Sequence, residues 1–130
     1  MLLNKHQLRS SIKAIYTTVQ ILNVEKINFD EEFVDLIIKG EKTTTVRRGI
    51  KSYPVGRLVE LTVNYKPFTL AKVKKVVVKR VKELTDEDAK RDGFNTRDEL
   101  ISALKRIYGD IADDEFVTIV HFELAKDLNR

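Results

Sequence analysis

The stretch from Leu58 to Val81 constrains this chain more than any other. Leu58 to Val63 alternates strictly, with Val59, Leu61 and Val63 on one face and Glu60 and Thr62 on the other. That is the period of a half-buried strand. Asn64 to Pro67 reads as a hairpin connection, and Leu70 to Val81 as a long partner strand. Within that partner the phase breaks. Ala71 and Val73 share one parity and Val76 and Val78 take the other, with Lys74 and Lys75 between them. A strand that changes face in mid-course carries a bulge or a sharp bend. Bent strands of this sort close small barrels.

The flanking segments supply further elements. Val24 to Phe29 alternates well enough for a first strand. A short helix follows, with Asp30 as N-cap, Glu31 and Glu32 at its positive end, and Phe33, Leu36 and Ile37 as its buried stripe. Lys39 and Gly40 suit its end. Thr43 to Val46 is β-branched and extended, and Tyr53-Pro54 with Gly56 marks a turn. Thr85-x-x-Asp88 and Thr96-x-x-Glu99 resemble capping boxes opening two helices, which close at Gly93 and Gly109. Phe116 to Leu124 is the last strand. This order predicts an α+β domain over residues 24–130 around a curved, mostly antiparallel sheet. Residues 1–23 read as an N-terminal extension. Leu8, Ile12, Ile15 and Val19 fit an amphipathic helix, but a loose extension fits equally.

With 130 residues and 42% hydrophobic content, the chain is sized for one domain with a true core. No run approaches the ~18 apolar residues of a membrane helix, and the N-terminus lacks a secretory pattern. A cytoplasmic protein is expected. Absence of cysteine excludes thiolate metal sites and thiol nucleophiles. Two distant histidines, His6 and His121, argue against a histidine metal site. No phosphate-loop or dinucleotide glycine pattern occurs. Neither a metal nor a cofactor is expected.

The net charge of +4 conceals an asymmetry. Residues 42–82 hold 12 of the 24 basic residues and one of the 20 acids, Glu60. A field of that sign attracts polyanions. The alternative is a solvated lysine face that guards strand edges against aggregation. The run spans several elements and not one edge, which favours an RNA or nucleotide partner.

Chemistry concentrates in Gly40-Glu41-Lys42-Thr43-Thr44-Thr45-Val46-Arg47-Arg48. In a regular strand Thr45 and Arg47 share one parity and Lys42 the other. A loop at the helix end can lift Lys42 off that pattern and gather an ammonium, a hydroxyl and a guanidinium. Such a group suits an anion such as phosphate. It also suits a lysine base beside a threonine nucleophile. Arg48 and Lys51 are expected to attract phosphate generally. Lys72 and Lys74 extend the basic face, and Tyr53 and Tyr65 are candidates to stack on bases, at ~1–3 kcal/mol each. For both tyrosines core or hairpin packing is the competing role, and for Phe68 packing is preferred.

Gly40-x-Lys42-x-x-Thr45-x-Arg47 after an acidic helix resembles the signature of the ASCH domain, a branch of the PUA-like superfamily. Leu84 to Ala89, Gly93-Phe94, Tyr108-Gly109 and the closing Phe116 and Phe122 are similar to that family's second half, so the resemblance spans roughly residues 24–124. It implies a PUA-like β-barrel with flanking helices and RNA binding linked to transcription or translation. Some relatives are amidohydrolases that remove an acyl group from modified cytidine with a Lys, a Thr and a Glu. Others are ribonucleases, which here would act without a metal. Carried over, these positions are Lys42, Thr45 and Asp92, the last one methylene shorter than the family's Glu.

Overall fold

A computed structural model describes residues 25–127. Strands β1 (Lys26–Phe29), β2 (Thr44–Arg48), β3 (Leu58–Val63), β4 (Lys66–Arg80) and β5 (Phe116–Leu124) form one sheet in the order β1-β3-β4-β5-β2. Only β1 and β3 run parallel; the other pairings are antiparallel. Among the described residues, three α-helices flank this sheet: α1 (Val34–Lys39), α2 (Asp86–Arg91) and α3 (Arg97–Tyr108). The sheet curls into an α+β half-barrel, in agreement with the curved, mostly antiparallel expectation. The expected extension over residues 1–23 lies outside the described residues.

The 15-residue β4 is the spine. Its first part pairs with β3, and from Ala71 onward it pairs with β5. The register shifts between Val73 and Lys75, where the hydrophobic phase breaks. This shift divides the sheet between two cores. Ile27, Phe29, Leu61, Val73, Val120 and Phe122 pack into one with Ile37. Val81, Leu84, Leu100, Leu104, Val117 and Ile119 make the other, beneath α2 and α3.

β4 begins at Lys66, four residues before the predicted Leu70. Asn64 and Tyr65 both take positive φ, 50° and 61°, so the connection is a two-residue hairpin turn. Pro67 enters the strand opposite Thr62, where a second register shift absorbs its missing N–H. The first helix also starts differently. Asp30 is extended and makes no side-chain cap, and a 3-10 turn over Glu31–Phe33 leads into α1. Gly40 ends α1 in the left-handed conformation at φ 81°, as predicted.

Thr85 and Asp88 form the expected reciprocal box, and Thr96 accepts a bond from the Glu99 N–H. The Glu99 carboxylate accepts instead from Asn95 N–H at 2.9 Å, one residue before the cap. Leu100 of α3 is fully buried in the second core. Truncation of such a leucine costs ~2–5 kcal/mol. Leu100→Ala is expected to lower unfolding free energy by that amount without changing the denaturant slope, measured by urea titration.

Candidate functional site

Lys42 precedes β2, outside the pleat. Its N–H donates to Leu36 O at 3.0 Å, and the next N–H, of Thr43, donates to Arg91 O at 2.8 Å. These two bonds tie the loop to both α1 and α2. They turn the Lys42 side chain inward, where it is 3% exposed. Across from it in the fold, Asp92 caps the C-terminus of α2 and is 5% exposed. Lys42 Nζ donates to Asp92 Oδ1 and, at 3.3 Å, to Asp92 O. Gly93 follows at φ +92°; a Cβ there would stand 3.2 Å from Leu36 Cδ1 and 3.5 Å from Lys42 Cβ. Its bareness permits this close approach of α2 to the loop.

The pair faces a cavity of about 230 Å³ whose wall includes Lys42, Thr45, Arg47, Asp92, Phe29, Phe33, Phe94 and Tyr108. Lys42 Nζ stands 5.0 Å from the Phe33 ring centre and Arg47 Cζ 5.0 Å from that of Phe29. Such contacts contribute ~0.5–2 kcal/mol, more where water is excluded. Arg47 is held from two further sides. Its Nε donates to Thr45 Oγ1 at 2.9 Å and its Nη2 to Asn28 O at 2.8 Å.

Burial dominates the electrostatics of the pair. It pushes Asp92 up to about 6, against the pull of Lys42 and Arg47. It also holds Lys42 below the usual lysine range, although Asp92 draws it upward. Burial thus disfavours the charged form of both partners, raising the carboxyl and lowering the ammonium, while their mutual attraction opposes each shift.

Lys42, Thr45, Arg47 and Asp92 are thus brought to one cavity, as far apart as 50 residues in the chain. Thr45 is bonded to Arg47, and the Lys42–Asp92 pair stands beside it in the same wall. The other predicted residues go elsewhere. Arg48, on the opposite parity, binds Glu115 at 2.6 Å and the carbonyls of Tyr108 and Asp110. Lys51, Tyr65 and Lys72 are exposed outside the cavity, Tyr65 at the hairpin tip. Lys74 lies 3.8 Å from Glu123. Tyr53 is half-buried against the first core; burial raises its hydroxyl, with nearby Arg47 opposing. Phe68 packs edge-on against Phe29, as expected.

The basic excess is partly answered by folding. Lys79 pairs with Asp88 at 2.7 Å and Lys82 with Asp114 at 2.9 Å, so acids from the second half return to the cationic segment. Burial alone would raise Asp88, but bonds from Lys79 and Thr85 hold it below the usual carboxylate range. Phe29, Phe94, Tyr108 and Asn28 were not singled out from the sequence as site residues. Phe29 read only as a strand's apolar position, Phe94 and Tyr108 entered only through the family resemblance, and Asn28 carried no signal; none of this says which residues border a cavity.

A curled half-barrel sheet with flanking helices matches the ASCH and PUA-like architecture. The chain belongs to the ASCH domain family, whose sequence profile matches residues 17–126. The crystal structure of an ASCH domain from Lactobacillus crispatus JV V101 is similar, with a TM-score of 0.61 at 18% identity over 69% of this chain and 68% of that one. A DUF984 protein from Enterococcus faecalis V583 gives 0.61 at 13% identity, over 88% and 92%. An ASCH protein from Zymomonas mobilis gives 0.55 at 19% identity, over 75% and 65%. At these identities the likeness carries the fold. No curated protein sequence matches the chain.

Because Asp92 is raised in the folded state, protonation stabilises the fold. That contribution is fully present below the unfolded value near 3.8 and is lost as pH rises through about 6. Carbon-detected NMR is expected to show the Asp92 carboxyl titrating near 6, and higher still in Lys42→Met. A midpoint near 4 in both proteins would refute the desolvated pair.

Proposed function

We propose that this ASCH protein binds RNA or a nucleotide, and that the cavity beside Lys42 and Asp92 takes a single nucleobase or nucleoside. The observation that carries this reading is the convergence of a buried ammonium–carboxylate pair, a guanidinium and a hydroxyl in one aromatic-walled cavity. Its volume, about 230 Å³, falls below the ~300–1,000 Å³ of sites for drug-sized ligands. A group of one ring or one nucleoside matches that scale. Lys42 and Arg47 supply donors and Asp92 an acceptor, which is what the polar edge of a base requires. Phe29 and Phe33 supply apolar surface for its faces. Calorimetry with cytidine and uridine tests this. Arg47→Met, which removes a charged donor, is expected to weaken binding about tenfold or more, from ~1.5–3 kcal/mol per such bond. Equal affinity in both proteins, or no binding by the wild type, would reject the assignment.

A second reading, hydrolysis of an amide on an acylated cytidine, is favoured by one observation. Lys42 has a lowered proton affinity and stands with Asp92 in the cavity that Thr45 lines. The Thr45 oxygen accepts from Arg47, which leaves its own proton to be taken by a base. Lys42 in its neutral form would remove the Thr45 proton as Oγ attacks the amide carbonyl. The C–N bond breaks, the amine leaves with that proton, and water hydrolyses the threonyl ester to the free acid. Purified protein supplied with an acylated cytidine is expected to release cytidine, detected by chromatography. Thr45→Ala should lower the rate by at least ~100-fold; turnover at the wild-type rate in that variant removes Thr45 as nucleophile.

A further inference from the structure

A second cavity of about 820 Å³ shares Lys42 with the first but contains neither Thr45, Arg47 nor Asp92. Its rim holds Lys39 at the end of α1, Lys74 and Lys75 of β4, His121 of β5, and Lys126. Consecutive strand residues ordinarily face opposite sides of a sheet. Here Lys74 and Lys75 line the same cavity, because the register shift between Val73 and Lys75 puts both on one side. Against these cations stand Glu123 and Asp127. Lys74 is only loosely engaged, 3.8 Å from Glu123, and Lys126 donates to Ile38 O at 3.2 Å. Lys39 and Lys75 are exposed and form no ion pair among the described residues.

The two cavities differ in kind. The smaller is walled by aromatic rings and dry charges. The larger presents several exposed ammonium groups, and its one phenyl ring, Phe122, is buried. Ammonium groups act as point charges that hold phosphate without reading bases. We propose that the larger basin is a phosphate-backbone site for single-stranded RNA. It holds the phosphodiesters adjoining the nucleotide whose base enters the smaller cavity, and to that extent it rests on the nucleobase reading above.

The test is the salt dependence of binding to a short fluorescent single-stranded RNA, followed by anisotropy on the full chain. Each phosphate contact on a single strand contributes ~0.7 to the slope of log affinity against log salt. The double variant Lys74→Gln/Lys75→Gln is expected to flatten that slope by about 1.4, with cytidine affinity unchanged. Glu123→Gln, which releases Lys74, is expected to tighten RNA binding at low salt. A wild-type slope in the double variant, or no gain in Glu123→Gln, would overturn the proposal. An equal loss of affinity for a polyglutamate peptide would overturn the RNA assignment in favour of an acidic protein. Flattening of the RNA slope in a protein that binds no cytidine would uphold the basin while removing the base pocket.

Discussion

The ion pair between Lys42 and Asp92 joins the two halves of this molecule at the point where its chemistry is concentrated. Lys42 belongs to the loop from α1 into β2, and Asp92 ends α2, beyond the whole hairpin. Both are almost fully buried, beside Phe33. Desolvating two charges is costly, and a buried pair often contributes no more stability than apolar residues of the same volume would. Removal of one partner alone is far worse, at ~3–5 kcal/mol. Stability therefore does not account for a lysine at this position; leucine or methionine would fill the space at less cost. What the pair supplies is a fixed ammonium and a carboxylate, each shifted by burial toward its neutral form, held at a cavity wall. The surrounding backbone keeps that arrangement rigid, through the Leu36 and Arg91 carbonyls and through a Gly93 without a side chain.

The bend in β4 sets where everything else lies. An unbroken strand of 15 residues would keep one set of side chains on one face throughout. The shift after Val73 exchanges the faces, so that Val73 closes the first core while Val77 packs on the second. Strand β5 follows both halves and carries Phe122 into one core and Ile119 into the other. Strand β2 adds to the outer edge of β5, which brings Thr45 and Arg47 alongside Phe29 of the far-edge strand β1 as the sheet curls. The pocket is a product of curvature, since β1 and β2 are the two ends of the strand order.

Features governed by short-range periodicity were legible in the sequence. The alternation of Leu58 to Val63, the break at Lys74-Lys75, the glycine at position 40 and the threonine cap at position 85 all depend on residues a few places apart. So did the lifting of Lys42 off the strand parity, since the helix end and the β-branched run bracket it. What was not legible depended on competition between partners. Asp30 fits a cap by type, yet the chain enters through a 3-10 turn that Asp30 O closes from Phe33 N–H. Glu99 had two donors within reach and bonds Asn95. The four-residue hairpin estimate failed because nothing in Asn64-Tyr65 demands positive φ at tyrosine. Arg48 stood beside Arg47 in the sequence with the same charge, and only the pleat, with Glu115 opposite, separates their roles. The cationic sum over residues 42–82 likewise ignored acids at 88, 114, 115 and 123, which fold back upon it.

The distribution of the remaining charge gives the two cavities different capacities. In the smaller one Lys42, Arg47 and Asp92 work where water is scarce, so each interaction with a polar group is strengthened by low local dielectric and little screened by salt. An incorrect ligand there leaves a buried charge unmatched, which is a large penalty and the physical basis of selectivity. Around the larger one, Lys39, Lys74 and Lys75 remain in solvent, where salt screens them within about 10 Å. Exposed ammonium groups of this kind act as screened point charges and do not distinguish one anionic unit from another. Lys42 borders both spaces but turns its ammonium to Asp92, on the dry side. A ligand entering from the wet side thus meets the lysine's backbone and stem, and the ammonium answers only to what occupies the pocket.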